Sequence, residues 1–97
     1  MRRDEVLDRI AGAQPQLRRL HVRSLSLYGS VARDTSSTTS DIDIIVEFDD
    51  SPVTLFDFVA LQQFLEQLLG RPVDLVERDA IRPELRDIIL AEEVRAA

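Results

Sequence analysis

Asp41 and Asp43 stand two residues apart at the head of the run Asp-Ile-Asp-Ile-Ile-Val-Glu-Phe, and Asp74 is enclosed by Val73 and Leu75. On an extended strand, side chains at i and i+2 point the same way, about 6–7 Å apart. A carboxylate inside an apolar strand, as at Asp74, needs a partner. Several carboxylates on one face repel each other and are costly to ionise unless a cation sits among them. An all-oxygen donor set of this kind selects Mg²⁺ or Mn²⁺. Two such ions, about 3.5–4 Å apart, clamp the entering and leaving oxygens of a phosphoryl displacement. Gly29-Ser30 supplies the complementary part: glycine lets the backbone approach phosphate oxygens, and the amides that follow, with the Ser30 hydroxyl, can donate to them. Arg33, one helical turn after Ser30, meets a phosphate, meets a partner or is solvated.

Each piece has a plain structural reading when taken alone. A Gly-Ser pair after a strand is commonly a turn, and an Asp-x-Asp pair entering a strand is commonly solvated. Their order, and the elements they fall on, make the combination read as a site for a metal–nucleotide complex.

Those elements follow from periodicity. Val6, Leu7, Ile10 and Ala11 form a helical face over 4–11, with Asp4 and Glu5 in its first turn. Gly12 and Pro15 end or kink it, and 16–20 allows another short turn. The segment 23–28 alternates as a strand; Gly29-Ser30 breaks it, and Ser30 could cap a short helix through Arg33. The Ser- and Thr-rich 34–40 is a loop. The strand 41–48 places Ile42, Ile44, Val46 and Phe48 on a core face, with Asp41, Asp43, Ile45 and Glu47 opposite. Thr54 and Asp57 form a capping-box-like pair opening a helix that stops at Gly70 and leaves only Gln62, Gln63, Glu66 and Gln67 for solvent. A short strand over 72–77 follows. Pro83 then opens a last helix, 84 to about 95, with Leu85, Ile88, Ile89 and Val94 inward. The expected fold is α/β (α+β): a small mixed sheet of about three strands with helices packed on it, in one domain spanning 1–97. The helical crossover makes the second and third strands parallel neighbours, so Asp43 and Asp74 fall at the same end of the sheet, about 5 Å apart between strands.

Composition narrows the function. The chain has 97 residues, 44% of them hydrophobic and 31% charged, with a net charge of −6. That balance argues against an extended electrostatic grip on nucleic acid, which needs clustered cations. The absence of cysteine removes thiolate metal sites, disulfides and thiol nucleophiles. Every basic residue other than His21 is arginine, so lysine phosphate loops and Schiff bases are excluded as well. His21 has no dyad partner nearby in sequence and reads as a surface residue. No signal-peptide core is visible and no apolar run approaches the ~20 residues of a membrane span, so the expected compartment is the cytoplasm.

The runs Leu27-Tyr28-Gly29-Ser30-Val31-Ala32-Arg33 and Ser40-Asp41-Ile42-Asp43-Ile44-Ile45-Val46-Glu47-Phe48, with ten residues between Ser30 and Asp41, resemble the minimal nucleotidyltransferase family of the DNA polymerase beta-like superfamily. Val73-Asp74-Leu75-Val76 resembles its third-carboxylate strand, and 82–89 its C-terminal helix. The resemblance implies a polymerase beta-like nucleotidyltransferase fold, a triphosphate over Gly29-Ser30, ions held by Asp41 and Asp43, and Asp74 holding the catalytic ion and helping to deprotonate the acceptor hydroxyl. It further implies an antitoxin paired with a HEPN-domain ribonuclease toxin, transferring AMP from ATP to a toxin tyrosine within a hetero-oligomer. Asp34 departs from the family, which commonly has glycine there; an added carboxylate tightens the turn or weakens phosphate binding. Two other readings stay open: a non-catalytic antitoxin that neutralises its toxin by occlusion, and nucleotidyl transfer to a small molecule. Arg82 and Arg86, four apart on the last helix, form a partner-facing or solvent-facing stripe.

Overall fold

The computed structural model describes residues 2–32 and 41–97, and of Ser30 the backbone alone. The elements run α1 (Arg3–Ala11), α2 (Gln14–Arg19), β1 (Val22–Tyr28), α3 (Gly29–Ala32), β2 (Ile42–Phe48), α4 (Leu55–Leu69), β3 (Val73–Glu77), a 3₁₀ turn (Arg78–Ala80), α5 (Pro83–Glu92) and β4 (Val94–Arg95). The four strands form one mixed sheet in the order β3-β2-β1-β4. β1 is antiparallel to both β2 and β4, while β2 and β3 are parallel, as a helical crossover requires.

Alternation along the strands builds the two faces. Leu25 and Leu27 of β1, Ile42, Ile44 and Val46 of β2, and Val73 and Leu75 of β3 join one cluster with Val6 and Ile10 of α1 and Leu61, Leu65 and Leu69 of α4. The opposite face carries Ser24, Ser26 and Tyr28, which pair in register with Glu47, Ile45 and Asp43. Asp74 and Val76 extend the same rows onto β3. The chemistry-bearing side chains therefore share the face away from the α1–α4 layer.

α4 begins with a full capping box: the Thr54 side chain accepts from the Asp57 amide, and the Asp57 carboxylate accepts from the Thr54 amide at 2.8 Å. It ends at Gly70 in the left-handed conformation, φ +66°. Its side chains also blunt the sheet edge. Gln62 donates to the Val73 carbonyl and Glu66 accepts from the Val73 amide, so backbone groups of edge strand β3 are satisfied within the chain.

Several expectations are corrected or sharpened. The sheet has four strands, not about three, because the last helix stops at Glu92 and the chain turns extended at Glu93. There it pairs β4 with the outer edge of β1, and the Leu25 amide and carbonyl bond to Ala97 and Ala96. α4 does not confine its exposure to polar residues: Leu55 and Phe56 are 77% and 87% exposed, and full burial is limited to Leu61, Leu65 and Leu69, with Phe58, Phe64 and Leu68 packed beside them. Leu85 and Ile88 of α5 face outward, and none of that helix's residues is fully buried. Ile45, placed on the polar face by alternation, is nonetheless completely buried, as is most of Ile81. The segment 16–20, read as a turn, belongs to a true helix with Pro15 in its first turn, where the missing amide costs nothing. No helix among the described residues is long and apolar enough to cross a membrane.

Candidate active site

β1 delivers Tyr28 and then stops, because Gly29 takes a positive φ of +70° and turns the chain into α3. Two independent constraints make this residue glycine. The left-handed backbone disfavours any side chain with a Cβ. A Cβ would also lie 3.3 Å from Cγ of Asp43 and nearer still to one of its carboxylate oxygens. The turn is thus pressed directly against the Asp43 carboxylate. Val31 and Ala32, 1% and 3% exposed, sink α3 into the core and fix it there.

On β2 and β3 the parallel register sets Asp43 opposite Asp74, flanked by Ile42 opposite Val73 and Ile44 opposite Leu75. The apolar neighbours face the core, which forces both carboxylates onto the other side. Tyr28 stands opposite Asp43 on the antiparallel partner. Tyr28, Asp43 and Asp74 therefore make one row across three strands at one end of the sheet. Asp43 and Tyr28 are half-buried, whereas Asp74 and Asp41, which directly precedes β2, are exposed. The row is electrostatically negative: burial, then the charges of Asp43 and Asp74, push the Tyr28 phenol up to about 12.

Asp43, Asp74, Gly29 and the backbone of Ser30 are brought to the same end of the sheet. Arg33 and Asp34 lie outside the described residues. Tyr28, which alternation alone marks only as a strand end, gains its place in the row from strand register. Glu47, on the same face as Asp43, is not part of the row; it pairs with Arg78 at 3.6 Å and Arg23 at 4.0 Å. Arg78 also grips Glu93 through two bonds of 2.8 and 3.2 Å, which holds the Glu93 carboxyl below the usual range and ties the C-terminal strand to the sheet. His21 takes φ +68° at the α2–β1 junction with its ring 3.9 Å from Asp49, far along β1 from the row.

The donor chemistry at the row is carboxylate oxygen throughout, which suits a hard divalent cation. Among the described residues no three His, Cys, Asp or Glu side chains gather closely enough to hold an ion by themselves. The glycine turn packed on Asp43 presents backbone rather than side chain at that end of the row.

Residues 8–95 match the family described as "Nucleotidyltransferase domain". The chain belongs to this family. A candidate protein adenylyltransferase of Methanocaldococcus jannaschii is 44% identical over 80 residues, covering 82% of this chain and 85% of that protein. The protein adenylyltransferase MntA of Thermococcus cleftensis is 34% identical over 92 residues, 94% of this chain and 92% of that one. Among solved structures, a candidate minimal nucleotidyltransferase superposes with a TM-score of 0.83 at 32% identity, covering 97% of this chain and 95% of the other. A chain from the complex of a tri-AMPylated HEPN toxin with its MNT antitoxin, from Shewanella oneidensis, shares the fold at a TM-score of 0.64 and 21% identity, over 92% and 69% of the two chains. The nucleotidyltransferase places its carboxylates on the sheet face opposite the α1–α4 layer, at the end where the Gly29 turn lies.

Proposed function

We propose that this nucleotidyltransferase is a protein adenylyltransferase: an antitoxin that transfers AMP from ATP to a tyrosine hydroxyl of a HEPN-type toxin, with two Mg²⁺ ions (Mn²⁺ in substitution). The observation that carries the reading is the register of Asp43 with Asp74, with the Gly29 turn packed on Asp43. The names of the 44% and 34% identical relatives support protein as the acceptor. The complex that shares its fold supports the class of partner.

The triphosphate lies against the amides that follow Gly29, with Ser30 and Arg33 as further donors. Asp41, Asp43 and Asp74 would hold the metal together with the nucleotide's phosphates; when bound it would supply positive charge to the phosphate oxygens and lower the pKa of the acceptor hydroxyl. Asp74, the exposed member of the row, accepts the proton of that hydroxyl. The acceptor oxygen bonds to the α-phosphorus, the bond from that phosphorus to the bridging oxygen breaks, and pyrophosphate leaves. The acceptor arrives at the exposed Asp74 end of the row, so the partner carries it in, and the working form is a hetero-oligomer. Extended nucleic-acid binding has no place in this account.

Calorimetric titration with a non-hydrolysable ATP analogue and Mg²⁺ tests the nucleotide half. Ser30→Ala should weaken binding by about 1–3 kcal/mol, the worth of one donor to a charged group. Unchanged affinity would reduce Ser30 to a turn residue.

A further inference from the structure

α3 has four residues. A helix that short cannot hold its own shape, since forming one turn fixes several residues for a single hydrogen bond. Yet its first residue lies against Asp43, and its amides must keep their aim if they are to meet phosphate. The packing of Val31 and Ala32 holds it from below. A second restraint comes from 29 residues away: Arg3 donates from Nη1 to the carbonyl of Ala32 at 3.0 Å.

Arg3 is oddly placed for its own helix. It is the first residue of α1, where the helix dipole favours acids and where Asp4 and Glu5 follow. Those two are exposed, while Arg3 is half-buried. Its charge lies instead at the carbonyl that ends α3, where a cation is favourable. A guanidinium hydrogen bond to a carbonyl is among the stronger kinds. α1 is a firm base for it: Val6 and Ile10 are completely buried, and Arg9 donates to the Leu68 carbonyl near the end of α4 at 3.2 Å.

We propose that Arg3 is a positioning residue for the nucleotide turn, its guanidinium holding the C-terminal end of α3 so that the Gly29–Ala32 backbone stays over Asp43. The proposal rests on the reading that this turn receives the triphosphate. Arg3 acts through the turn and touches neither phosphate nor acceptor. Its loss raises KM for ATP and leaves kcat within about threefold, because a loosened turn weakens binding of the ground state and the transition state alike.

Arg3→Met keeps the apolar stem and removes the donor; Arg3→Lys keeps a cation. Amide exchange followed by NMR on the ligand-free chain reads the turn directly, and calorimetry with the ATP analogue and Mg²⁺ reads its consequence. Arg3→Met should speed exchange of the Val31 and Ala32 amides without changing α4. It should weaken the analogue about tenfold, with most of the loss recovered in Arg3→Lys. Exchange that rises evenly over the chain, or not at all, overturns the proposal. Equal analogue affinity in Arg3→Met and the parent chain overturns the positioning role alone. A parent chain that does not bind the analogue overturns the nucleotide reading and this role with it, even where exchange shows Arg3 holding α3.

Discussion

Gly29 and Asp43 exclude one another's growth: a Cβ on the glycine would fall 3.3 Å from Cγ of the aspartate, with a carboxylate oxygen closer still. The turn and the carboxylate are built as one unit, and a double-mutant cycle should reveal it. Gly29→Ala faces two penalties, the positive φ, worth roughly 1–2 kcal/mol, and the collision with Asp43. In an Asp43→Ala background only the first remains. The cost of Gly29→Ala, measured by urea unfolding, should therefore shrink by at least about 1 kcal/mol in that background. Strict additivity would mean that the two residues are not in contact.

Asp43→Asn and Asp74→Asn separate chemistry from folding. Like charges set opposite one another on neighbouring strands repel, so either change should leave metal-free thermal stability unchanged or raised. Transfer activity should fall several hundredfold, on the scale of lost charge stabilisation in the transition state. Thermal melts with and without Mg²⁺, beside single-turnover rates, distinguish the two effects. A variant that keeps its rate removes that carboxylate from the site.

Tyr28 is the chain's one tyrosine, so its ionisation can be followed alone by absorbance. With the phenol pushed up to about 12, the folded protein holds its proton longer than the unfolded chain, whose value is near 10. The native state then binds more protons between those values, and stability falls as pH rises through that window. The loss should be on the order of 2 kcal/mol. Burial is the larger cause, so Asp43→Asn should lower the phenol's midpoint only in part. A midpoint near 10 in the native protein would dissolve the row.

Glu93 gives the opposite dependence at the acid end. Its carboxyl is held low mainly by the hydrogen bonds from Arg78, against some loss of solvent. Such a group contributes stability above its unfolded value, lost as pH falls through the folded one. Glu93→Gln should cost about 1 kcal/mol at pH 7 and progressively less below pH 4. Equal cost at both pH values would leave the ion pair without a role in fastening β4.

Local signals carried much of this architecture in the sequence. Thr54 with Asp57, Gly70 at a helix end, and alternation in β2 and β3 act over a few residues, and the crossover rule makes those strands parallel without further information. With both aspartates near their strand starts, the same rule puts Asp43 and Asp74 at one end of the sheet, and the structure adds their direct pairing. What lay beyond reach depends on contacts between distant segments. Nothing near Val94 announces pairing with β1, and the bond from Arg3 to Ala32 has no local signature. Alternation put Ile45 on the polar face, which it occupies, but could not tell that it is completely buried there. Helical periodicity marked Leu55, Phe56, Leu85 and Ile88 as core-facing, although the layers in contact with α4 and α5 do not reach them.

The account turns on AMP reaching a protein hydroxyl through this row of carboxylates. Intact mass spectrometry of a co-expressed HEPN-type partner, incubated with this chain, ATP and Mg²⁺, measures that directly. The partner should gain the mass of one or more adenylyl groups on tyrosine with the parent chain and none with Asp43→Asn, while this chain's own mass stays fixed. A partner that is bound and neutralised yet never gains mass, or gains it equally with Asp43→Asn, would contradict the account.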